Sequence, residues 1–415
     1  MNKMEASRFL LDNGLRLVHV LDESTEMVHV NILYGVGAKN EEYEHTGLAH
    51  LLEHLMFEGT ERFPSFDEPL EEAGADSNAF TNNDFTNYFI SLPRRNAELA
   101  FCMEADRMCN LVLDDEKVDV QRQVVMEEFK QSYLNKPYGD VTTLVRKMAF
   151  KKHPYRWSTI GRKLKHISDV PLEVVQDFYH RHYTPGNAVL AVVGNISFEQ
   201  VKEWTLKWFG SIAARECVKR EIPAEPRQQR MRRMTVQRNV PGNALYMAFH
   251  MDSFNGKGYY ACDVISDIFA NGYSGRLNER LVKRKKLFTR VDAFITNNEH
   301  PGLFWIYSRL ADGVSYERAE EALWNELEAL QRELVPRAEM EKVRNRFESD
   351  QVFANISGEN FAANLAQAEW YGDVSRAWRE TDMYRRVTSE EVMLMARELF
   401  RRGNASVLYY HAKKK

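Results

Sequence analysis

Residues 46–57 read Thr46-Gly47-Leu48-Ala49-His50-Leu51-Leu52-Glu53-His54-Leu55-Met56-Phe57, and the spacing of the leucines decides how the segment folds. Leu48, Leu51, Leu52 and Leu55 recur at i, i+3, i+4 and i+7, which is one face of an α-helix. Thr46 is the expected N-cap, because its hydroxyl can accept a bond from an unpaired first-turn amide. His50, Glu53, His54 and Phe57 repeat the same spacing on a second face. Residues four apart are helical neighbours, so both imidazoles can point at one ion with Glu53 beside them. Two histidines one turn apart with a carboxylate between them are what a catalytic zinc site takes from a single helix. The plain alternative is a core helix with solvated histidines. The pair and the acid share a face that is not the leucine face, which argues for metal.

The chain is 415 residues long, enough for two domains of about 200 residues. Its net charge of −4 gives no general pull toward nucleic acid. No apolar run is long enough to span a bilayer, and the N-terminus enters a strand-turn pattern rather than a signal region. The expectation is therefore a cytoplasmic protein with no membrane span. The four cysteines, Cys102, Cys109, Cys217 and Cys262, include no Cys-x-x-Cys pair, so neither a zinc ribbon nor a redox dithiol is indicated.

Residues 9–18 read as strand, Asn13-Gly14 turn, strand, and 28–34 as a further strand leading to the histidine helix. Beyond it come a short helix at 66–73, two strands within 77–92, and helices at 95–111 and 114–134. A helix at 172–180, a buried strand at 187–194 and a helix at 197–209 follow. Pro223, Pro226 and the arginines up to Arg233 break the pattern, so 223–234 reads as a linker between domains 1–222 and 235–415. The second half repeats the first in outline. A strand at 245–250 and a helix at 259–270 put Asp263, Ser266 and Asp267 opposite His50, Glu53 and His54, as solvated or capping acids. The helix at 315–334 is read as the counterpart of 197–209. The expected fold class is α+β: two similar domains, each with helices packed on a largely antiparallel sheet, with metal chemistry in the first alone.

A catalytic zinc usually takes a third protein ligand. Glu127 and Glu128 are the candidates; adjacent on a helix, they point about 100° apart, so one of them should reach the ion. Glu128 lies in a stripe with Val118, Gln121 and Val125, but periodicity does not exclude Glu127.

The inverted His-x-x-Glu-His order with a distal Glu-Glu pair resembles the pitrilysin, insulin-degrading enzyme and mitochondrial processing peptidase family. The resemblance covers nearly the whole chain, including Leu11 to Leu15, Gly74 to Tyr88, His153-Pro154-Tyr155, Thr159-Ile160-Gly161 and Tyr183 through Asn195. It implies one half of a clam-shell peptidase, with His50, His54 and Glu128 as ligands to one Zn²⁺ and Glu53 as general base. It also implies that Asn78, Ala79 and Phe80 belong to an edge strand that pairs with substrate backbone.

Two departures bear on activity. Gln121 stands where the family often has Glu, so it can orient a ligand or water but not as a charged acid. Relatives commonly carry an Arg and, seven residues later, a Tyr in the C-terminal half, where this chain has Val282 and Thr289. The resemblance thus implies a zinc endopeptidase subunit acting on peptides, paired in a heterodimer with a related chain that holds the Arg/Tyr pair. A homodimer, a non-catalytic scaffold subunit and a zinc hydrolase with another substrate stay open as alternatives.

Overall fold

Alternating and β-branched runs form two sheets of one repeated topology. The computed structural model describes residues 5–215, 221–270, 272 and 274–413; Cys217 and Asn271 lie outside them. The first half runs β1 (Ser7–Leu10), β2 (Arg16–Leu21), β3 (Met27–Tyr34), α1 (Leu48–Leu55), α2 (Asp67–Glu72), β4 (Asp76–Thr81) and β5 (Thr86–Pro93). It continues with α3 (Glu98–Cys109), α4 (Asp115–Phe129), α5 (Val141–Ala149), α6 (Lys165–Ser168), α7 (Leu172–His182), β6 (Ala188–Gly194) and α8 (Phe198–Phe209). The second half runs β7 (Arg232–Arg238), β8 (Ala244–His250), α9 (Tyr259–Ala270), β9 (Phe288–Ile295) and β10 (Leu303–Leu310). It ends with α10 (Tyr316–Arg332), α11 (Arg337–Ile356), α12 (Gly358–Trp370), α13 (Arg376–Arg386), α14 (Ser389–Leu399) and β11 (Ala405–Ala412).

The sheet orders are β1-β2-β6-β3-β5-β4 and β7-β11-β8-β10-β9. In each, the first strand shared by the pattern pairs parallel with the last (β2 with β6, β7 with β11) and the remaining pairs are antiparallel. The sheets therefore superpose strand for strand in topology, apart from the additional β1. By that order α10 follows β10 as α3 follows β5. The counterpart of α10 is α3, not α8, which corrects the matching of 315–334 to 197–209; both are amphipathic helices, and only strand pairing tells them apart.

The chain divides into unit one, residues 1–130, 157–222 and 351–380, and unit two, residues 131–156, 223–350 and 381–415. The division at 222/223 falls where the proline run begins, but neither unit is continuous in sequence. β7 starts at Arg232, inside the stretch read as linker, and Arg233 there binds Glu320 at 2.6 Å. In unit one, α12 packs on the face carrying Val18, Val20, Leu33, Ala191 and Val193 through Phe361, Ala362, Leu365 and Ala366. Leu17, Ile32, Leu190 and Val192 alternate with them and are equally buried, so the sheet is covered on both sides. In unit two, α5 covers the face with Tyr246, Ala248, Trp305 and Leu408 through Val141, Val145 and Met148. Each half of the sequence thus lends one helix to the other unit's sheet.

Candidate metal centre

α1 buries Leu48, Leu51, Leu52 and Leu55 completely or nearly so, as their spacing requires. Its start differs from the expectation. Gly47 enters the helix with φ 94°, a left-handed conformation, and a Cβ there would meet the Ile160 carbonyl at 2.9 Å. The amides of Gly47 and Ala49 donate to the carboxylate of Glu41, each at 3.0 Å. Glu41 is fully buried, and burial pushes its carboxyl up to about 8 against the pull of those amides. Thr46 is not the cap: its hydroxyl accepts from the Arg162 amide at 2.9 Å and bonds His166 Nδ1 at 2.9 Å. The acid sits six residues before Gly47 in a run of glutamates, and no local pattern marks it.

From α1 the two imidazoles project together, their rings perpendicular and centred 4.8 Å apart. α4 packs beside α1 and brings in Glu128. Glu128 Oε2 lies 3.6 Å from His50 Nε2 and 3.5 Å from His54 Nε2. The three candidate donor atoms fall within 4.8 Å of one another. Bonds of about 2.0–2.1 Å to a tetrahedral zinc set its ligands about 3.3 Å apart, so these spacings fit such an ion. Two imidazole nitrogens and one carboxylate oxygen also suit zinc chemically. Glu127, the competing acid, turns away and pairs with Lys130 at 2.5 Å.

The electrostatics follow from burial and proximity. Burial drives His50 down to about 4, with Glu128 pulling it up and His54 pushing it down. Hydrogen bonding to His54 holds Glu128 below the ordinary carboxylate range, with His50 adding to the effect. Burial raises Glu53; hydrogen bonding from Thr81, on β4, works against that. Glu53 Oε2 is buried and has no hydrogen-bond partner, an acceptor left over beside the cluster. Gln121 does not join the cluster. Its amide nitrogen donates to Glu58 Oε1 at 2.5 Å, and Lys117 holds the Glu58 carbonyl at 2.8 Å.

β4 is an edge strand, with Phe80 42% exposed. Asn78 Oδ1 accepts from the Ala79 amide at 2.8 Å, and Thr81 ends the strand beside Glu53. Glu41, Glu58 and the bonding of Thr81 to Glu53 are what sequence reasoning missed around the cluster. In unit two the corresponding acids are not solvated. Asp263 is half-buried and accepts from the Tyr384 hydroxyl at 2.7 Å, while Asp267, fully buried, faces Arg346 at 3.9 Å. Val282 is half-buried, and the exposed Thr289 bonds the Arg309 carbonyl at 3.5 Å.

Residues 16–163 match the family described as Insulinase (Peptidase family M16), and residues 169–347 match the Peptidase M16 inactive domain. The zinc protease PqqE of Helicobacter pylori is 29% identical over 363 residues, covering 86% of this chain and 81% of that one. The crystal structure of a protease from Helicobacter pylori superposes with a TM-score of 0.91 at 26% identity, over 98% of this chain and 100% of that one. The periplasmic protease PqqL from Escherichia coli shares the fold, with a TM-score of 0.80 at 19% identity; 99% of this chain covers 48% of it. Among the described residues no helix is long and apolar enough to cross a membrane. With both of its halves matched to one family and its fold shared end to end with a protease structure, the chain belongs to peptidase family M16, the pitrilysin and insulinase type.

Proposed function

We propose that the chain is a zinc-dependent endopeptidase subunit that hydrolyses peptides or unfolded segments in a chamber closed by a second subunit. The observation that carries this is the convergence of His50, His54 and Glu128, with the half-buried Glu53 and its unpartnered Oε2 on the same helix. His50, His54 and Glu128 hold one Zn²⁺ per chain. When bound, the ion supplies Lewis acidity to a peptide carbonyl and to water, whose pKa falls toward about 7. Glu53 takes the proton of the attacking water and returns it to the leaving amine. Burial prepares it for this by raising its carboxyl toward the operating pH.

Asn78, Ala79 and Phe80 on the open edge of β4 pair with an extended substrate, so recognition reads main chain more than side chain. Strand addition at Ala79 requires Asn78 Oδ1 to release the amide it now holds. Val282 and Thr289 cannot serve the developing oxyanion as the Arg/Tyr pair does, Val282 having no donor and the Thr289 hydroxyl facing the Arg309 carbonyl; such a donor contributes about 2.7 to 4 kcal/mol. A related subunit carrying the Arg/Tyr pair supplies it in a heterodimer. The match to about half of a longer protease supports an assembly of two such halves.

The test is zinc content and cleavage of a mixed peptide library by the purified chain, beside Glu53→Gln, with and without a related subunit. Glu53-dependent cleavage that rises on adding the partner is expected. Zinc binding with no Glu53-dependent cleavage under either condition would favour a scaffold. Full activity of the chain alone would overturn the heterodimer.

A further inference from the structure

α1 is eight residues long, and His50 lies in its opening turn. A helix this short is marginal by itself, so the turn that carries the first histidine depends on an outside anchor. No side chain at the cap supplies one, because the residue there is Gly47. The anchor is Glu41. Its Oε2 accepts the Gly47 amide and its Oε1 the Ala49 amide, so both oxygens of one fully buried carboxylate are engaged on this turn. A carboxyl group placed there also meets the positive end of the helix.

The backbone around the anchor has no slack. The Trp157 indole donates to the Ala38 carbonyl at 2.9 Å, in the turn that leads into Glu41. A Cβ on Gly161 would meet the Thr46 carbonyl at 2.6 Å, as one on Gly47 would meet that of Ile160. Gly161 has φ 95°, close to the 94° of Gly47, and the two glycines let their segments cross in backbone contact.

His50 gives this anchoring a chemical consequence. An imidazole that binds metal ordinarily donates its other ring nitrogen to a carboxylate, a carbonyl or water, and that bond fixes the ring. His50 Nδ1 is buried and has no hydrogen-bond partner among the described residues. The ring therefore takes its position from the backbone that carries it.

We infer that Glu41 is a positioning residue of the metal centre: by holding the amides of Gly47 and Ala49 it sets where His50 Nε2 stands opposite His54 and Glu128. The inference rests on the zinc reading given above, and it concerns affinity for the ion rather than proton transfer at Glu53.

The experiment measures the zinc affinity of the full chain by competition with a chromophoric chelator, and the urea midpoint of the zinc-free chain. Glu41→Gln keeps the volume but offers one acceptor where two are needed, and its amide nitrogen faces a backbone N–H. It should weaken zinc binding by about tenfold or more. Glu41→Asp, one methylene shorter, keeps the carboxylate but reaches only one of the two amides. It should lose a smaller factor, and it carries the test if Glu41→Gln does not fold. Asn13→Ala is the control for a merely structural role. Asn13 is buried, and its amide nitrogen donates to the carbonyls of Phe209 at 2.8 Å and Ile212 at 3.0 Å. Its loss should lower the urea midpoint and leave zinc affinity unchanged. Wild-type affinity in both Glu41 variants, or an equal loss of affinity in Asn13→Ala, would overturn the inference alone. No zinc uptake by the wild-type chain would sink the metal reading, and the inference with it.

Discussion

α1 and α9 hold the same position in two copies of one topology, each following the strand before the sheet's far edge is built, yet they settle their polar residues in opposite ways. On α1 two imidazoles face a carboxylate sent from α4, leaving an arrangement that welcomes a cation. On α9 Asp267 faces Arg346, sent from α11, the counterpart of α4, and Asp263 accepts from Tyr384 on α13. Arg346 also binds Asp350 at 3.3 Å, so the positive charge is already shared between acids. Burial raises Asp263 and pushes Asp267 up to about 7. The difference teaches that topology alone does not make a metal site. The neighbouring helix decides, by sending an anion to neutral donors in one unit and a cation to acids in the other.

The comparison breaks most completely if His54→Ala keeps its metal. Zinc should fall from one equivalent to background by elemental analysis, with peptide cleavage lost alongside it. Next comes Glu53→Gln, which should retain zinc and lose about 10²- to 10⁴-fold in kcat, because only proton transfer is removed. Retained activity would show that the proton travels elsewhere. A transplant sharpens the contrast: Asp263→His with Asp267→His should bring no second equivalent of zinc, because Arg346 remains where Glu128 would stand. A second equivalent would mean that the helix residues alone suffice.

Smaller effects concern stability. Tyr384→Phe leaves Oδ2 of the half-buried Asp263 without the Tyr384 hydroxyl and should cost about 1 kcal/mol in urea unfolding, with zinc content unchanged. The pH dependence of the two units should carry opposite signs. Burial lowers His19 of unit one to about 4, while its Nε2 bonds the Ile196 carbonyl at 2.9 Å. Its folded value lies below the unfolded 6.5, so protons bind the unfolded chain more readily and stability falls as pH drops from 6.5 toward 4. His19→Gln should therefore lose less on going from pH 7 to pH 5, by on the order of 1–2 kcal/mol. Asp267 behaves inversely. Its raised folded value makes stability fall as pH climbs from 3.8 toward 7, so Asp267→Asn should gain relative to wild type over that rise. Parallel slopes in the two variants would refute the assignment.

Much of this was legible in the residues. The leucine spacing of α1 and the alternation of β3 report burial directly, and the recurrence of strand and helix announced the duplicated sheet. Spacing left Glu127 and Glu128 both open and the resemblance chose Glu128; the fold separates them by turning Glu127 to Lys130. What stayed hidden depends on contacts distant in sequence. The amide acceptor at the start of α1 is Glu41 rather than the adjacent Thr46, because buried backbone donors take whichever acceptor the tertiary fold delivers. The hydroxyl that holds Asp263 comes from Tyr384, far along the chain. The lending of α5 and α12 was equally invisible, since an amphipathic helix does not state which sheet its apolar face will meet.

That lending has a consequence for how the protein is made. The covering helix of the first sheet leaves the ribosome only after nearly all of the chain has been translated, although the strands it covers are among the first to emerge. Until then Val18, Leu33 and Ala191 lack their lid, and the non-local pairing makes folding slow. A gene cut at the proline run would give two products, each short of one helix that its sheet requires. Neither fragment should accumulate in soluble form alone, and co-expression of the pair should restore both.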